Sequence, residues 1–398
     1  MKNIFSLYRY AFSGLQSNVW VLFVATFINR SGAMVLLFTS LYLTKELHFS
    51  IVQAGFIMSF YGIGSVLGSY SGGWLTDRRN FHDIMLFSLV SSGLILLLIL
   101  TATSQFFLSA IIFLYAYCSD MFRPANAAAI AAYSTPENRT RSVSLIRLAI
   151  NLGFSVGPAA GGFIALYLGY KWLFVIDSCT SIAAAVMLFF YLPKPVIALN
   201  RSESKVLGDS STSAYRDLRY LFFILMVACY AICFFQLFVS VPQYFSQVCK
   251  YDEDTIGLFL AFNGLLVVLI EMPLMAALEN KKQIFSFIIV GALCVPLAFA
   301  VLHFGHGMIF WAIIYTIIIT FSEIFSMPFM MNYSLSRPRK ERQGQYSALY
   351  SIAYGIAMIA APMLGLGIAG KYGFDTMFYF FIGLGTVAAL GFSLMNRA

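Results

Sequence analysis

Long apolar windows recur along the whole chain of 398 residues. A membrane-spanning helix needs about 20 consecutive apolar residues, because each residue advances it about 1.5 Å across a hydrocarbon core roughly 30 Å thick. Hydrophobic residues make up 60% of the chain, charged residues 11%, and the mean hydropathy is +0.82, which excludes an ordinary soluble domain. We therefore predict an all-α integral membrane protein with twelve transmembrane helices. The windows are 18–43, 51–75, 83–103, 106–132, 143–167, 171–192, 219–246, 255–278, 283–303, 307–332, 346–370 and 373–394.

The distribution of positive charge predicts how these helices are oriented. The net charge is +8, and with the N-terminus in the cytoplasm 18 of the 25 Lys and Arg residues fall on cytoplasmic segments. This asymmetry predicts a multi-pass protein of the cell inner (plasma) membrane with both termini in the cytoplasm. The excess of basic residues is therefore explained by the orientation of the helices in the membrane, and we expect no nucleic-acid partner. The remaining seven are Lys45, Lys171, Lys250 and Lys371 outside, and Arg30, Arg123 and Arg147 within helices.

The chain has no sequence pattern of a catalytic centre. No nucleophilic triad, phosphate-binding loop or zinc-ligand spacing is present, and the six cysteines form no CxxC pair. We expect a protein that is not an enzyme and that holds no metal or other cofactor.

One polar stretch, "KPVIALNRSESKVLGDSSTSAYRD" at 194–217, interrupts the apolar pattern. It predicts a cytoplasmic linker between an N-terminal six-helix bundle, 1–193, and a C-terminal six-helix bundle, 218–398. Prolines, glycines and acids recur about 202 to 204 positions apart, so we expect two pseudo-symmetric bundles. Such repeats with a substrate site between them are typical of transporters that work by alternating access. The matching pairs are Pro124 and Pro328, Glu137 and Glu341, Pro158 and Pro362, Gly161 and Gly365, Gly55 and Gly257, Phe60 and Phe262, Gly62 and Gly264, and Asp77 and Glu279.

The second predicted helix ends in "GGWLTDRR", which resembles the loop motif of the major facilitator superfamily. The later motif positions are replaced by residues 80–82, "NFH", so only the first half of the motif is intact. The resemblance implies that Gly73, Asp77 and Arg78 belong to a gate, in which the aspartate contacts the second half and stabilises the outward-facing state. Asp77 would do so by capping the positively polarised start of the eleventh helix, near Gln345.

The fifth predicted helix contains "NLGFSVGPAAGG", although glycine and proline disfavour helix interiors. Gly153, Gly157, Pro158, Gly161 and Gly162 fit the pattern GxxxGPxxGG, which resembles the signature of the superfamily's twelve-helix drug/proton antiporters. Glycines four apart share one helix face and admit a neighbouring backbone, and the proline bends the helix. The resemblance implies a tight, bendable seam facing the second half. Generic small-residue packing is the alternative interpretation.

Ionisable residues at bilayer depth mark transport pathways or proton relays. Glu323 lies near the middle of the tenth helix with no basic residue in its own six helices, so desolvation favours its neutral form. It is our first candidate for proton coupling. Asp120 of the fourth helix is the second, with Arg30 or Arg123 as its partner. The alternatives are a static salt bridge for Asp120 and, for Glu323, a neutral acid bonded to a backbone carbonyl.

Three further charges lie within predicted helices. Arg147 of the fifth helix and Glu271 of the eighth are each about two turns from the cytoplasmic end, and the superfamily fold makes these helices neighbours. We predict that they form a cytoplasmic gate pair. For Asp177 of the sixth helix, nearer the outer side, structural packing is the simpler interpretation.

Polar and aromatic residues of several helices are candidates for the substrate cavity. Aromatic residues make up 17% of the chain, and an aromatic wall suits lipophilic or cationic substrates. The candidates are Asn29, Arg30, Arg123, Asn151, Tyr230, Phe234, Gln236, Gln243, Trp311 and Tyr315.

These observations together predict a secondary active transporter. The expected function is proton-coupled export, by antiport, of amphipathic small molecules by a monomer in the lipid bilayer, with the proton gradient as energy source. One alternative is proton-coupled uptake, by symport, of an anionic or peptide-like nutrient, which Arg30, Arg123 and Arg147 would suit better than a cation. The first helix, "NRSGAMVLLFTSLYLT", loosely resembles that of the peptide/proton symporters but lacks the acids of their ExxER pattern. A sensor or scaffold that transports nothing is the second alternative.

Overall fold

The computed structural model describes residues 15–32, 35–76, 78–135, 139–194, 214–278, 284–305, 307–337 and 343–397. Within these ranges the chain is helical and contains no strand. Short π-helical (Tyr42–Glu46) and 3₁₀ (Ile99–Thr101, Ala214–Arg216, Phe235–Phe238) turns lie at helix ends. The α-helices are α1 Ser17–Gly32, α2 Val35–Leu41, α3 Ile51–Thr76, α4 Phe81–Leu98, α5 Gln105–Asp120, α6 Phe122–Ala132, α7 Arg139–Tyr167, α8 Tyr170–Tyr191, α9 Leu218–Phe234, α10 Ser240–Gln247, α11 Glu253–Leu278, α12 Ile284–Phe304, α13 Ile309–Ser336, α14 Gln343–Tyr372 and α15 Phe374–Arg397.

The described residues contain eleven helical segments long and apolar enough to cross a membrane. They match the predicted windows from the second to the twelfth. The first window corresponds to α1, α2 and the π-helical turn, with residues 33–34 outside the described part. The prediction of an all-α integral membrane fold is thus confirmed.

Two predicted helices are interrupted, and a proline follows each interruption. The fourth breaks at Met121 between α5 and α6, and Pro124 lies in the first turn of α6. Proline has no N–H to donate to the carbonyl four residues earlier, which frees the carbonyl of Asp120. The Ser69 hydroxyl lies 3.5 Å from that oxygen. In the seventh helix, the 3₁₀ turn that joins α9 to α10 precedes Pro242.

The described residues form two compact units. The first comprises residues within 1–38 and 63–198, and the second comprises residues within 39–62 and 199–398. Residues 39–62, which we call the outer hairpin because they are predicted to face outward, therefore pack with the second unit. The predicted linker, 194–217, lies mostly outside the described residues, so the predicted domain boundaries stay a prediction.

Glycines bring helix backbones together inside the first unit. Here α1 packs on α7 and α8, and α4 packs on α5 and α8. On α3, Gly64, Gly68 and Gly72 lie four residues apart against the backbone of α5 and of Met121, which follows it, so close that a Cβ at any of them would collide with this backbone. This stripe lets α3 and α5 approach as small-residue motifs do in membranes.

The second unit is built around α12, which packs on α13 and α15, while α9 packs on α14 and α15. Here too glycines lie in close contact with the backbone of a neighbouring helix. A Cβ on Gly55 would lie 2.6 Å from the carbonyl oxygen of Pro362, and one on Gly62 would lie 2.7 Å from that of Met358. Pro362 frees the Met358 carbonyl, so Gly62 packs against α14 where its hydrogen-bond ladder is open.

Candidate functional site

Glu323 lies halfway along α13, at the centre of a membrane-spanning segment. The Asn263 side chain of α11 places its Nδ2 3.4 Å from Glu323 Oε2 and 2.8 Å from Thr320 Oγ1. In the described part of the chain Glu323 makes no ion pair within 4 Å. The carboxyl group is thus held by one long hydrogen bond from a neutral amide.

Tyrosines of α9 and α14 lie in the neighbourhood of Glu323. Tyr230 and Tyr354 both interact electrostatically with its carboxylate. The Tyr230 hydroxyl bonds to Ser322 Oγ at 3.1 Å, and the Tyr350 hydroxyl donates to that of Tyr354 at 3.3 Å. Tyr230 was predicted as a cavity residue, whereas Tyr350 and Tyr354 were missed. The signal that would have found them is the tyrosine spacing of four in "YSALYSIAYG", which places these side chains on one face of α14.

The other predicted aromatic cavity residues lie in the packed interior or at the outer end of the second unit. Tyr230 and Phe234 are buried and their rings stack 6.4 Å apart. Tyr315 is fully buried between Phe245 and Phe299, and its hydroxyl has no hydrogen-bond partner in the described part of the chain. Trp311 is partly buried in the first turn of α13, and a Cβ on Gly305 would lie 2.5 Å from its Cβ. Substrate contact by these rings stays a prediction.

Gln236, a predicted cavity residue, bonds to protein backbone at the break in the seventh helix. Its Nε2 donates to the carbonyls of Ile232 at 3.0 Å and Ala361 at 3.1 Å, and its Oε1 accepts from Ser240 Oγ at 2.5 Å. Gly365 of α14 lies against this oxygen, where any Cβ would collide. The amide therefore ties the break between α9 and α10 to α14.

Gln243, another predicted cavity residue, ties α10 to the outer hairpin. Its Nε2 donates to the Ser40 carbonyl at 2.7 Å and to Thr44 Oγ1 at 2.9 Å. The Ser40 carbonyl lies just before the π-helical turn, where the regular hydrogen-bond ladder is disturbed. Beside it, Lys45 Nζ lies 2.7 Å from Glu253 Oε1 at the start of α11. These contacts hold the hairpin in the second unit.

In the first unit, Asp120 ends α5 and pairs with Arg123. Arg123 Nε lies 2.8 Å from Asp120 Oδ1, so of the two predicted partners Arg123 makes the ion pair. Asp120 is buried and its second oxygen, Oδ2, has no hydrogen-bond partner in the described part of the chain. The Arg123 side chain is half exposed. Close by in sequence, the Asn126 amide donates to Thr26 Oγ1 of α1 at 3.3 Å.

The glycines of α7 receive the backbone of α1. A Cβ on Gly153 would lie 2.5 Å from Cβ of Arg30, and one on Gly157 would lie 2.9 Å from the carbonyl oxygen of Ser31. The predicted close approach of a neighbouring backbone is therefore present, and the neighbour lies in the same unit. Gly161 and Gly162 are buried, and α7 continues through Pro158. The predicted seam toward the second half stays a prediction.

The structure describes some of the predicted gate residues and not others. Asp77 lies outside the described residues. Gly73 has open space, since its Cβ would meet only Pro124 at 3.9 Å, and the exposed Arg78 guanidinium stacks 3.8 Å from the centre of the Trp74 ring. The pair of Arg147, which is exposed, and Glu271, which is partly buried, would join the two units and stays a prediction. Asn29 is buried and Asn151 partly buried.

Sequence reasoning missed an ion-pair cluster at the predicted cytoplasmic end of the second unit. Asp217 accepts from the backbone N–H of Tyr220 as the cap of α9, at 3.0 Å. Arg337 binds both of its carboxylate oxygens, at 2.7 and 2.8 Å, and the Tyr346 hydroxyl donates at 2.9 Å. The Arg337 guanidinium thereby lowers the pKa of Asp217 to about 2. The cluster joins the starts of α9 and α14 to the end of α13.

Comparison with known proteins identifies the family to which these helices belong. The family model described as Major Facilitator Superfamily matches residues 22–362. The chain belongs to the Major Facilitator Superfamily. It is therefore a multi-pass membrane transporter and not an enzyme.

Relatives in this superfamily differ in what they carry. The chain is 24% identical to the uncharacterized MFS-type transporter YqjV of Bacillus subtilis, covering 73% of this chain and 71% of that protein. It is 24% identical to Multidrug resistance protein 2 of Bacillus subtilis, covering 71% and 70%. It is also 26% identical to the cis,cis-muconate transport protein of Acinetobacter baylyi, covering 51% of each chain.

Solved structures of transporters share the fold. The nucleoside transporter NupG superposes with a TM-score of 0.83 at 13% identity, covering 95% of this chain and 100% of that one. A POT family transporter in complex with 5-aminolevulinic acid superposes with a TM-score of 0.80 at 16% identity, covering 96% of each chain. At these identities the likeness concerns the fold alone.

Proposed function

We propose that the protein is a proton-coupled antiporter that exports amphipathic small molecules, and that Glu323 carries the coupling proton. The observation that supports this proposal most is the setting of Glu323. It lies at the centre of a membrane-spanning helix, with one 3.4 Å hydrogen bond from Asn263 and no ion pair among the described residues.

The energetics of that setting suit a group that gains and loses a proton. A carboxylate at bilayer depth costs several kcal/mol unless donors or cations compensate it. One neutral amide compensates little, so the site responds to a proton or to an approaching cation. Both occupants neutralise the same carboxylate, and their competition for it is what antiport requires.

The substrate class is proposed from the aromatic setting and from one relative. Phe235 of the seventh helix meets edge-on, at 6.2 Å, the ring of Tyr354, which interacts electrostatically with Glu323. Aromatic faces attract lipophilic and cationic groups. Similarity to a multidrug resistance protein supports the same class.

Uptake of an anionic substrate with protons is a second candidate. The observation that favours it is the Arg30 side chain, whose Nε is buried within the first unit. Similarity to a muconate transport protein, which carries a dicarboxylate, supports this alternative. The two candidates differ in the charge of the substrate and in the direction of proton movement relative to it.

The cellular setting belongs to the same proposal. We place the transporter as a monomer in the cell inner membrane with both termini in the cytoplasm, which the positive-inside asymmetry supports. The proton gradient would be its energy source, with no resident cofactor.

Transport into proteoliposomes with an imposed pH gradient tests the proposal. The panel contains lipophilic cations, aromatic carboxylates and short peptides, and the variants are Glu323→Gln and, as matched control, Asp252→Asn at an exposed acid before α11. In the parent protein and in Asp252→Asn, we expect a lipophilic cation to cross the membrane in the direction opposite to proton flow. In Glu323→Gln, this movement driven by the pH gradient should vanish. Movement of anions or peptides together with protons would instead establish the second candidate.

A further inference from the structure

Asp177 of α8 is a buried carboxylate to which the proposed transport cycle gives no role. Its side chain is 1% exposed, and it lies within the membrane-spanning segment Lys171–Tyr191. The Tyr115 hydroxyl of α5 lies 3.5 Å from its Oδ2, and the Ser181 hydroxyl, one turn along α8, also bonds to it. Both donors are neutral.

One cation acts on this carboxylate. The Arg30 guanidinium of α1 attracts it electrostatically, although Asp177 makes no ion pair within 4 Å in the described part of the chain. The backbone and Cβ of Arg30 pack against α7, where Gly153 leaves room for them. Asp177 therefore has a counter-charge in its own unit, on a helix whose backbone packs closely against α7.

The protonation state of Asp177 determines whether its charge compensates that of Arg30. When Asp177 is ionised, its charge and that of Arg30 compensate each other. When Asp177 carries a proton, the Arg30 charge is no longer compensated by it. Either state satisfies the Tyr115 and Ser181 hydroxyls, because a hydroxyl can donate to a carboxylate or accept from a carboxylic acid.

Asp120, the acid that sequence reasoning assigned to proton coupling in this unit, has a different setting. Its Oδ1 forms a 2.8 Å ion pair with the guanidinium of Arg123, three residues away at the start of α6. The Arg123 side chain is half exposed, whereas Asp120 itself is buried. Asp177 is equally buried, and the cation that attracts it belongs to α1, a helix distant in sequence that packs on α8, so its ionisation is linked to the packing of these two helices.

We propose that Asp177 is a second proton-carrying carboxylate of the transport cycle, with Arg30 as the counter-charge that its ionisation neutralises. This inference rests on the proposed function, because it assumes that protons drive transport. The proton comes from water and returns to water when the cycle exposes the site. The groups that face Asp177 are Tyr115 from α5, Arg30 from α1 and Ser181 from α8, and on α4 the neighbour of this part of α8 is Gly93.

Infrared difference spectroscopy during a pH titration tests the assignment without any substrate. The full-length protein in lipid nanodiscs is compared with Asp177→Asn, Asp177→Glu and, as matched control, Asp120→Asn. We expect Asp177→Asn to lose one titrating carboxylic-acid band and about one bound proton per molecule. The band should remain in Asp120→Asn and persist at a changed frequency in Asp177→Glu.

The same infrared titration tests the role of Arg30 with a separate set of variants. Arg30→Gln should displace the pH midpoint of the Asp177 band, Arg30→Lys should restore it toward that of the parent, and Arg123→Gln should leave it unchanged. The inference would be overturned if Asp177→Asn kept every titrating carboxylic-acid band that the parent protein shows.

These outcomes are separable from those of the transport assay. If the Asp177 band titrates as expected and no pH gradient drives transport, the proposed function fails while Asp177 remains a proton-binding site. If transport is proton-driven and depends on Glu323, yet Asp177→Asn neither loses a band nor changes the protons moved per substrate, only the inference on Asp177 fails.

Discussion

At the residue scale, the Asp217 cluster makes a pH-dependent contribution to stability. Arg337 lowers the pKa of Asp217 from its ordinary value of 3.8 to about 2, and both side chains are mostly buried. A group whose pKa is lowered by folding stabilises the protein above its unfolded-state pKa, and that stabilisation is lost as the pH falls through the folded-state value. The shift corresponds to about 2 kcal/mol.

The matching prediction concerns acid stability. Thermal unfolding of the purified protein, followed from neutral pH to about pH 2, should show the loss beginning near pH 4. Asp217→Asn should lower the unfolding temperature at neutral pH and make it less dependent on pH in this window. An equally steep acid dependence in the parent and in Asp217→Asn would show that the ion pair with Arg337 contributes nothing.

Single residues also show what sequence could reveal of the site. Glu323 was identifiable because an acid in the middle of an apolar window is rare, and its neighbours within the helix could be read directly. Asn263 was not identifiable, because it contacts Glu323 from another helix at 60 positions' distance in sequence. Asp217 was assigned to the linker, since nothing local indicates that Arg337 and Tyr346 converge on it.

At the element scale, glycine spacing predicted that a backbone would approach α7 but could not name the helix that does so. The structure gives α1, at Arg30 and Ser31. The stripe of α3 was equally readable in "GIGSVLGSYSGG", yet its partner, α5, also follows only from tertiary packing. Gln236 and Gln243 show the same limit, because the breaks whose backbone they bind are not apparent from hydrophobic periodicity.

The contact between α7 and α1 yields a prediction with a matched pair of glycines. Gly153→Ala would place a Cβ 2.5 Å from that of Arg30, so α1 or α7 must shift, whereas Gly73→Ala would meet nothing nearer than 3.9 Å. We expect Gly153→Ala to lower the free energy of unfolding by about 1 to 3 kcal/mol and Gly73→Ala to leave it nearly unchanged. Thermal unfolding in detergent measures both, and equal behaviour of the two variants would exclude a tight contact at Gly153.

At the scale of the whole molecule, the apolar windows were sufficient to predict the fold. They did not predict that the outer hairpin packs with the second unit. Thr39–Gly62 precedes most of the first bundle in sequence and packs with the second unit. Which contacts a segment makes in one state of a transporter depends on tertiary packing, and hydropathy carries no information about that.

The hairpin contacts allow a test of whether this segment moves during transport. If access alternates by rocking of the two halves, a hairpin joined to the first bundle by the chain must leave the second unit when the predicted outer side opens. Thr44 and Gln243 are suited to hold it, since Gln243 Nε2 lies 2.9 Å from Thr44 Oγ1. In a background without the native cysteines, oxidation of Thr44→Cys/Gln243→Cys should stop transport and a reductant should restore it, while either single variant should be insensitive to oxidant. Full transport by the cross-linked protein would mean that the hairpin stays with the second unit throughout the cycle, and that the outer opening forms elsewhere.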